Sequence, residues 1–217
     1  MFKTNNFEDS IIIEEFENSK IFIIDNFYVD PYRILNFINS VNLLLHKKHA
    51  SPSYNGIHFW DENPVTELIH HEDRKQLFEV KEKLSKLCNQ EPLDENLFLV
   101  NSLRFIKNNF NDYKNNYWWP HFDRGYSSLI YFNEGNFNGT HLYKQIEDDN
   151  IKNVPEHYAP WRKKTKFKVI KTIESKFNRM VLFDGKFFLH GMAVEDDRFF
   201  QREKRINQVY FFEGKKK

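Results

Sequence analysis

One cysteine, Cys88, stands in a chain of 217 residues. That excludes an intrachain disulfide and any zinc site built from several cysteines. Charge of one sign is just as scarce: 32 Lys and Arg face 31 Asp and Glu, a formal net charge of +1. Without a global field to gather phosphate backbones, a nucleic-acid partner is not expected. Long apolar runs are missing too, so no membrane-spanning segment is expected. Met1-Phe2-Lys3-Thr4-Asn5-Asn6 has no apolar run after its basic residue, and no secretory signal peptide is expected there. No internal repeat is visible. These absences lead to the expectation of a cytoplasmic protein. The abundance of Asn, Lys, Ile and Phe hints at an AT-rich coding genome, hence a bacterium or a virus-infected host cell.

What the chain does have is aromatic bulk: 23 phenylalanines and 17% aromatic residues overall. Such side chains suit strands and pocket walls, and the length suits one domain over residues 1–217. Ile11 to Ile13 and Ile21 to Ile24 have strand composition. Asp30-Pro31 starts a helix, with Asp30 as N-cap and Pro31 in the first turn. Ile34, Leu35, Ile38, Val41, Leu44 and Leu45 follow at helical spacing. Residues 50–64 form a loop carrying Tyr54, His58, Phe59 and Trp60, either a lid or a loop pinned to the core. Glu72 to Leu87 makes a second helix with Leu77, Val80, Leu84 and Leu87 on one stripe. His70-His71 reads as a surface pair. From Leu97 the chain turns to strands: Phe98 to Ile106, Tyr126 to Phe132, Thr140 to Tyr143, Phe167 to Ile173, Arg179 to Phe183, Phe187 to His190, and Ile206 to Phe212. Asn133-Glu134-Gly135, Asn138-Gly139 and Asp184-Gly185 have turn chemistry. Residues 145–166 read as a charged insertion, and Lys215 to Lys217 as a frayed tail. The organisation expected is a helix-rich N-terminal support over residues 1–96 and a β core over residues 97–213.

Within that core, Trp118-Trp119-Pro120-His121-Phe122-Asp123 places an imidazole and a carboxylate two positions apart. In extended chain, such residues project to one side and can share a metal ion. His190, closing the apolar run Phe187-Phe188-Leu189 just before Gly191, is the candidate third ligand. Two histidines and one carboxylate form the facial triad that holds non-haem Fe(II) and leaves positions open. His141 is the rival histidine, and Asp123 has an alternative as the head of a turn with Arg124-Gly125. Arg205 opens the last strand, where its planar fork could clamp the far carboxylate of a dicarboxylic co-substrate. Arg198 and Arg202 compete for that role from a charged loop. On the last strand Arg205, Asn207, Val209 and Phe211 share one face.

The ordered set His121-x-Asp123, His190 and Arg205 resembles the Fe(II)/2-oxoglutarate-dependent oxygenases, over about residues 100–213. The opening Asp25-Asn26-Phe27 followed by Asp30-Pro31 and a helix is similar to the prolyl-hydroxylase-like members. The resemblance implies a mainly β fold with flanking helices, a double-stranded β-helix (jelly roll or cupin-like barrel). It implies Fe(II) on His121, Asp123 and His190, with 2-oxoglutarate as co-substrate and ascorbate as an accessory. Arg205 would hold the co-substrate's distal carboxylate, although the interval from His190 is longer than the family's usual one. Tyr131 would make a second contact, with Asn207 and Tyr143 as further candidates, or be a core aromatic. Trp118 and Trp119 would wall the substrate pocket or pack the strand end. The activity implied is hydroxylation of a C–H bond on a protein side chain, prolyl or lysyl, or on a free amino acid. The reaction consumes O2 and releases succinate and CO2. Asp123 speaks against a halogenase, which needs the carboxylate's coordination position vacant. The reading kept beside it is a cupin-type metal protein or a degenerate jelly-roll binding module that does not use 2-oxoglutarate.

Overall fold

The computed structural model describes residues 1–40, 65–68, 74–92, 97–103, 113–135, 139–149, 161–196, 205–212 and 214–216. The expected lid at 50–64 lies outside them, as do His70-His71, Arg198, Arg202, Asn138 and the helical positions Val41, Leu44 and Leu45.

The chain opens with a hairpin of β1 (Ile12–Phe16) and β2 (Ser19–Ile24). Phe16 pairs with Ser19 across a two-residue turn. Both turn residues, Glu17 and Asn18, have positive φ, 47° and 67°. That backbone matches the twist of the flanking strands. Helix α1 (Pro31–Ser40) follows. Its N-cap is the expected one: the Arg33 N–H donates to Asp30 Oδ1 at 3.0 Å. Then come β3 (Val65–Leu68), α2 (Arg74–Leu87), β4 (Gln90–Pro92) and β5 (Leu97–Leu103). The remaining strands are β6 (Asn116–Trp118), β7 (Tyr126–Tyr131), β8 (Thr140–Gln145), β9 (Trp161–Lys163) and β10 (Phe167–Ile173). They are followed by β11 (Met180–Asp184), β12 (Leu189–Met192), β13 (Arg205–Phe212) and β14 (Gly214–Lys216).

All strand pairings among the described residues are antiparallel. A seven-stranded sheet runs β1-β2-β11-β7-β13-β5-β3, and a three-stranded sheet runs β10-β8-β12. Among the described residues the architecture is mostly β with two α-helices, an arrangement consistent with a jelly-roll-like fold. Strands β2 and β11 of the large sheet are apolar on both faces, which their alternation makes possible. Phe22, Ile24, Met180 and Leu182 face α1 and α2, where Ile34, Ile38, Val80 and Leu84 complete one core. Ile21, Ile23, Val181 and Phe183 point the other way, onto Leu142, Ile173 and Phe188 of the smaller sheet's side. Each such aliphatic or aromatic burial is worth roughly 1.5–3 kcal/mol. Asn178, at φ 60°, fastens the N-terminal segment to this body. Its side-chain amide exchanges two hydrogen bonds of 2.9 Å with the Tyr28 backbone.

The helix-rich support expected over residues 1–96 also contributes β1, β2 and β3 to the large sheet. Two expectations are corrected. The segment 145–166 is not all insertion: its end is β9, paired with β6 through Tyr117 opposite Arg162. The Lys215-Lys216 tail is not frayed, since β14 pairs with β4. In both cases, pairing with a distant partner overrides weak local strand propensity.

Candidate metal centre

His121 lies just past β6, His190 inside β12. The two form a β-bridge in which His121 N–H donates to His190 O at 2.8 Å and His190 N–H to His121 O at 2.9 Å. Residues directly opposite in an antiparallel pair project to the same face, so the two imidazoles meet, ring centres 4.4 Å apart. Two residues on, Asp123 N–H donates to Gly185 O at 2.9 Å, and Gly185 N–H to Gly125 O at 2.8 Å. Asp123 thus returns to the histidines' side while Phe122, between them, points out and is 47% exposed. Gly185 is required there. A Cβ on it would stand 2.7 Å from Asp123 Cβ and 2.8 Å from Gly125 O. Gly191 is required for a similar reason: its Cβ would meet Trp118 O at 2.5 Å.

The ligand atoms of His121, Asp123 and His190 all lie within 4.8 Å of one another, and these three residues can hold one metal ion. No other such group occurs among the described residues. Hydrogen bonding fixes their chemistry. His121 Nδ1 sits 2.8 Å from Trp119 O, and His190 Nδ1 sits 2.9 Å from Phe188 O. A carbonyl only accepts, so both Nδ1 atoms carry the proton and both Nε2 lone pairs are bare in the neutral rings. Those Nε2 atoms face the same carboxylate: His190 Nε2 is 3.1 Å from Asp123 Oδ2, and His121 Nε2 is 3.6 Å from Asp123 Oδ1. Three acceptors aimed at one point repel unless a cation or a proton lies between them. This donor set, with its outer nitrogens already tied to carbonyls, fits a divalent metal.

Protonation agrees with that role. Burial, with the neighbouring His190, holds His121 down to about 4. Burial pushes Asp123 up, but its pairing with His190, the nearby His121 and the Ser127 hydroxyl outweigh it and bring it to about 2. Both are therefore in the deprotonated forms that metal ligation needs at neutral pH.

The triad opens onto a cavity of about 130 Å³ that Trp118, Trp119, Thr140, Arg205 and Asn207 also line. Val209 and Phe211 line it as well, so the shared face of β13 is the cavity face. Arg205 is 5% exposed. Its Nη1 donates to Asn207 Oδ1 at 2.8 Å and its Nη2 reaches Gly139 O at 3.5 Å. The guanidinium lies over the Tyr131 ring at 5.8 Å. The Tyr131 hydroxyl is engaged with Thr140 Oγ1 at 2.7 Å, so of that pair Thr140 is the one at the cavity wall. Trp118 meets Trp161 of β9 edge-on at 5.1 Å.

His141 and Tyr143 project from the opposite face of β8. His141 Nδ1 sits 3.0 Å from Thr172 Oγ1, and burial, with Lys164 nearby, holds the ring down to about 4. Tyr143 packs on Tyr117 and Phe167. Neither residue lines the cavity. Sequence reasoning missed Ser127, whose hydroxyl donates to Asp123 Oδ2, and Thr140. Ser127 carried a faint signal, since it shares the β7 face of Leu129 and Tyr131.

No family model matches the sequence, and no curated protein matches it. Among solved structures the chain is similar to a Pseudomonas putida prolyl-4-hydroxylase, at 11% identity and a TM-score of 0.42, covering 90% of this chain and 92% of that one. It is also similar to a Shewanella oneidensis protein assigned as an oxygenase, at 11% identity and a TM-score of 0.47, covering 89% and 81%. What the centre can do therefore rests on its own residues.

Proposed function

We propose that the chain is an Fe(II)- and 2-oxoglutarate-dependent oxygenase that hydroxylates an aliphatic C–H bond. The observation that carries this is a His-Asp-His donor set sharing one small cavity with a buried arginine. His121 and His190 would offer Nε2 and Asp123 one oxygen, leaving the cavity side open. Bound there with 2-oxoglutarate and O2, ferrous iron supplies the oxidation: one oxygen atom goes to the substrate, the other to succinate as CO2 leaves. Arg205 binds and orients the distal carboxylate of 2-oxoglutarate, and Asn207 holds one side of its fork. Tyr131 supports the guanidinium from below and shares a hydrogen bond with Thr140. Trp118 and Trp119 give the cavity flat apolar walls, which exclude water and suit a side chain offered carbon-first. A prolyl or lysyl side chain of a protein, or a free amino acid, is the substrate class proposed.

The test is anaerobic titration with Fe(II), then with 2-oxoglutarate. Assays in air with ascorbate and a panel of prolyl and lysyl peptides and free amino acids follow. Succinate release stimulated by a panel member, with a gain of one oxygen atom in its mass, supports the proposal. Metal binding without 2-oxoglutarate binding refutes it in favour of a cupin-type metal protein.

A further inference from the structure

The two histidines of the centre are held in different ways. His190 is 7% exposed in its side chain and has the Phe183 ring edge-on against it at 4.8 Å. The core itself limits how that imidazole can turn. His121 is 27% exposed and sits at the rim. Its ring needs another restraint, and Trp119 supplies two.

The Trp119 carbonyl takes the Nδ1 proton at 2.8 Å, which fixes how the ring is turned within its own plane. The Trp119 indole lies on the imidazole at 4.6 Å with 18° between planes, which fixes the plane. Together they leave Nε2 one direction, toward Asp123. Both depend on one backbone torsion. Trp119 has φ 35°, a left-handed value that a bulky residue adopts only when its surroundings impose it. Pro120 follows, which further narrows what residue 119 can do. On the other side Gly191 leaves room for the Trp118 and Trp119 carbonyls. Strain of this kind gathers where a site must be prearranged.

We infer that Trp119 is the positioning residue of His121, holding the imidazole by its carbonyl and its stacked indole so that Nε2 meets the metal. This rests on the metal-centre reading above. It is tested with Co(II), whose ligand-field absorption reports the coordination geometry directly, apart from any turnover. Trp119→Gly keeps the carbonyl, tolerates the left-handed torsion and removes the stack. Trp119→Leu keeps apolar bulk without a flat face, and Trp119→Phe keeps a flat face. Loss of an outer-shell partner costs roughly 10- to 100-fold in metal affinity. The Gly and Leu variants should lose affinity in that range with an altered spectrum, while Phe restores both. If Trp119→Gly does not fold, Leu against Phe carries the same comparison. Native Co(II) affinity and spectrum in the Leu variant, or a Phe variant as weak as Leu, overturn the inference and leave the centre standing. A native protein that binds no Co(II) overturns the centre itself.

Discussion

Replacing Gly185 with alanine tests whether Asp123 is seated by packing. The added methyl carbon would stand 2.7 Å from Asp123 Cβ, 2.7 Å from Ser127 Oγ and 2.8 Å from Gly125 O. Comfortable contacts of this kind lie near 3.5–4.0 Å, so close to an ångström must be found on three sides at once. One neighbour is a main-chain oxygen and another is one bond from the main chain. Neither can swing away as the end of a long side chain would. Overpacking a tight site costs about 1–3 kcal/mol. At roughly 2–4 °C per kcal/mol for a chain of this size, Tm should fall by about 2–12 °C. The local effect is sharper. The cheapest relief is to tilt Asp123 outward, which breaks its bond from Ser127 and turns the carboxylate away from both Nε2 atoms. Mn(II) affinity, measured by calorimetric titration, should then fall about 10- to 100-fold. Adding Ser127→Ala removes one clash and should recover part of Tm without recovering affinity. A lowered Tm with native Mn(II) affinity would refute the argument that this packing aims the carboxylate. Native values for both would mean that Asp123 is not seated against Gly185 at all.

Arg205→Ala should weaken 2-oxoglutarate binding by about 2–5 kcal/mol, the usual cost of truncating one partner of a buried charge pair. That is roughly 30- to 4,000-fold in Kd at about 1.4 kcal/mol per decade. Mn(II) affinity, titrated in parallel, should hardly change. His141→Ala should leave metal affinity native, because its ring lies across β8 from the cavity; lost metal binding would restore it as a rival ligand. Asp25 is held below the usual carboxylate range by its hydrogen bond from Arg179, assisted by Lys176 and opposed by burial. A depressed folded value means stability that is fully present above the unfolded carboxylate pKa of about 3.9 and is lost as pH falls through the folded value. The Tm gap between native protein and Asp25→Asn should therefore be open at pH 7 and narrow below about pH 4. A gap independent of pH would show that the charge is not what matters.

The donor set was legible because its information is local. His121 and Asp123 are two apart on extended chain, and His190 sits beside a glycine that permits close approach. The face of β13 was legible for the same reason, since alternation alone puts Arg205 and Asn207 on the side of Val209. The Asp30 cap likewise needs only a short window. What could not be read depends on partners far away in sequence. Trp161-Arg162-Lys163 and Gly214-Lys215-Lys216 carry no strand signature and become strands because β6 and β4 lie beside them. Nothing in the letters around Tyr131 says that its hydroxyl meets Thr140, or that its ring underlies Arg205. The left-handed torsion of Trp119 has only Pro120 as a clue. Glu17-Asn18 hid a two-residue turn because it contains no glycine.

Since His121 and His190 already exchange both backbone hydrogen bonds, an incoming ion does not have to draw together two remote stretches of chain. The entropy of closing that long excursion is met by the sheets themselves. In small zinc domains the opposite holds, and chelation is the folding event. Here occupancy should add only the mass-action term, about 2.7 kcal/mol with free metal at a hundred times its Kd. A chelator should therefore empty the centre and leave the sheets standing, and one ion should exchange for another on a protein that never unfolds.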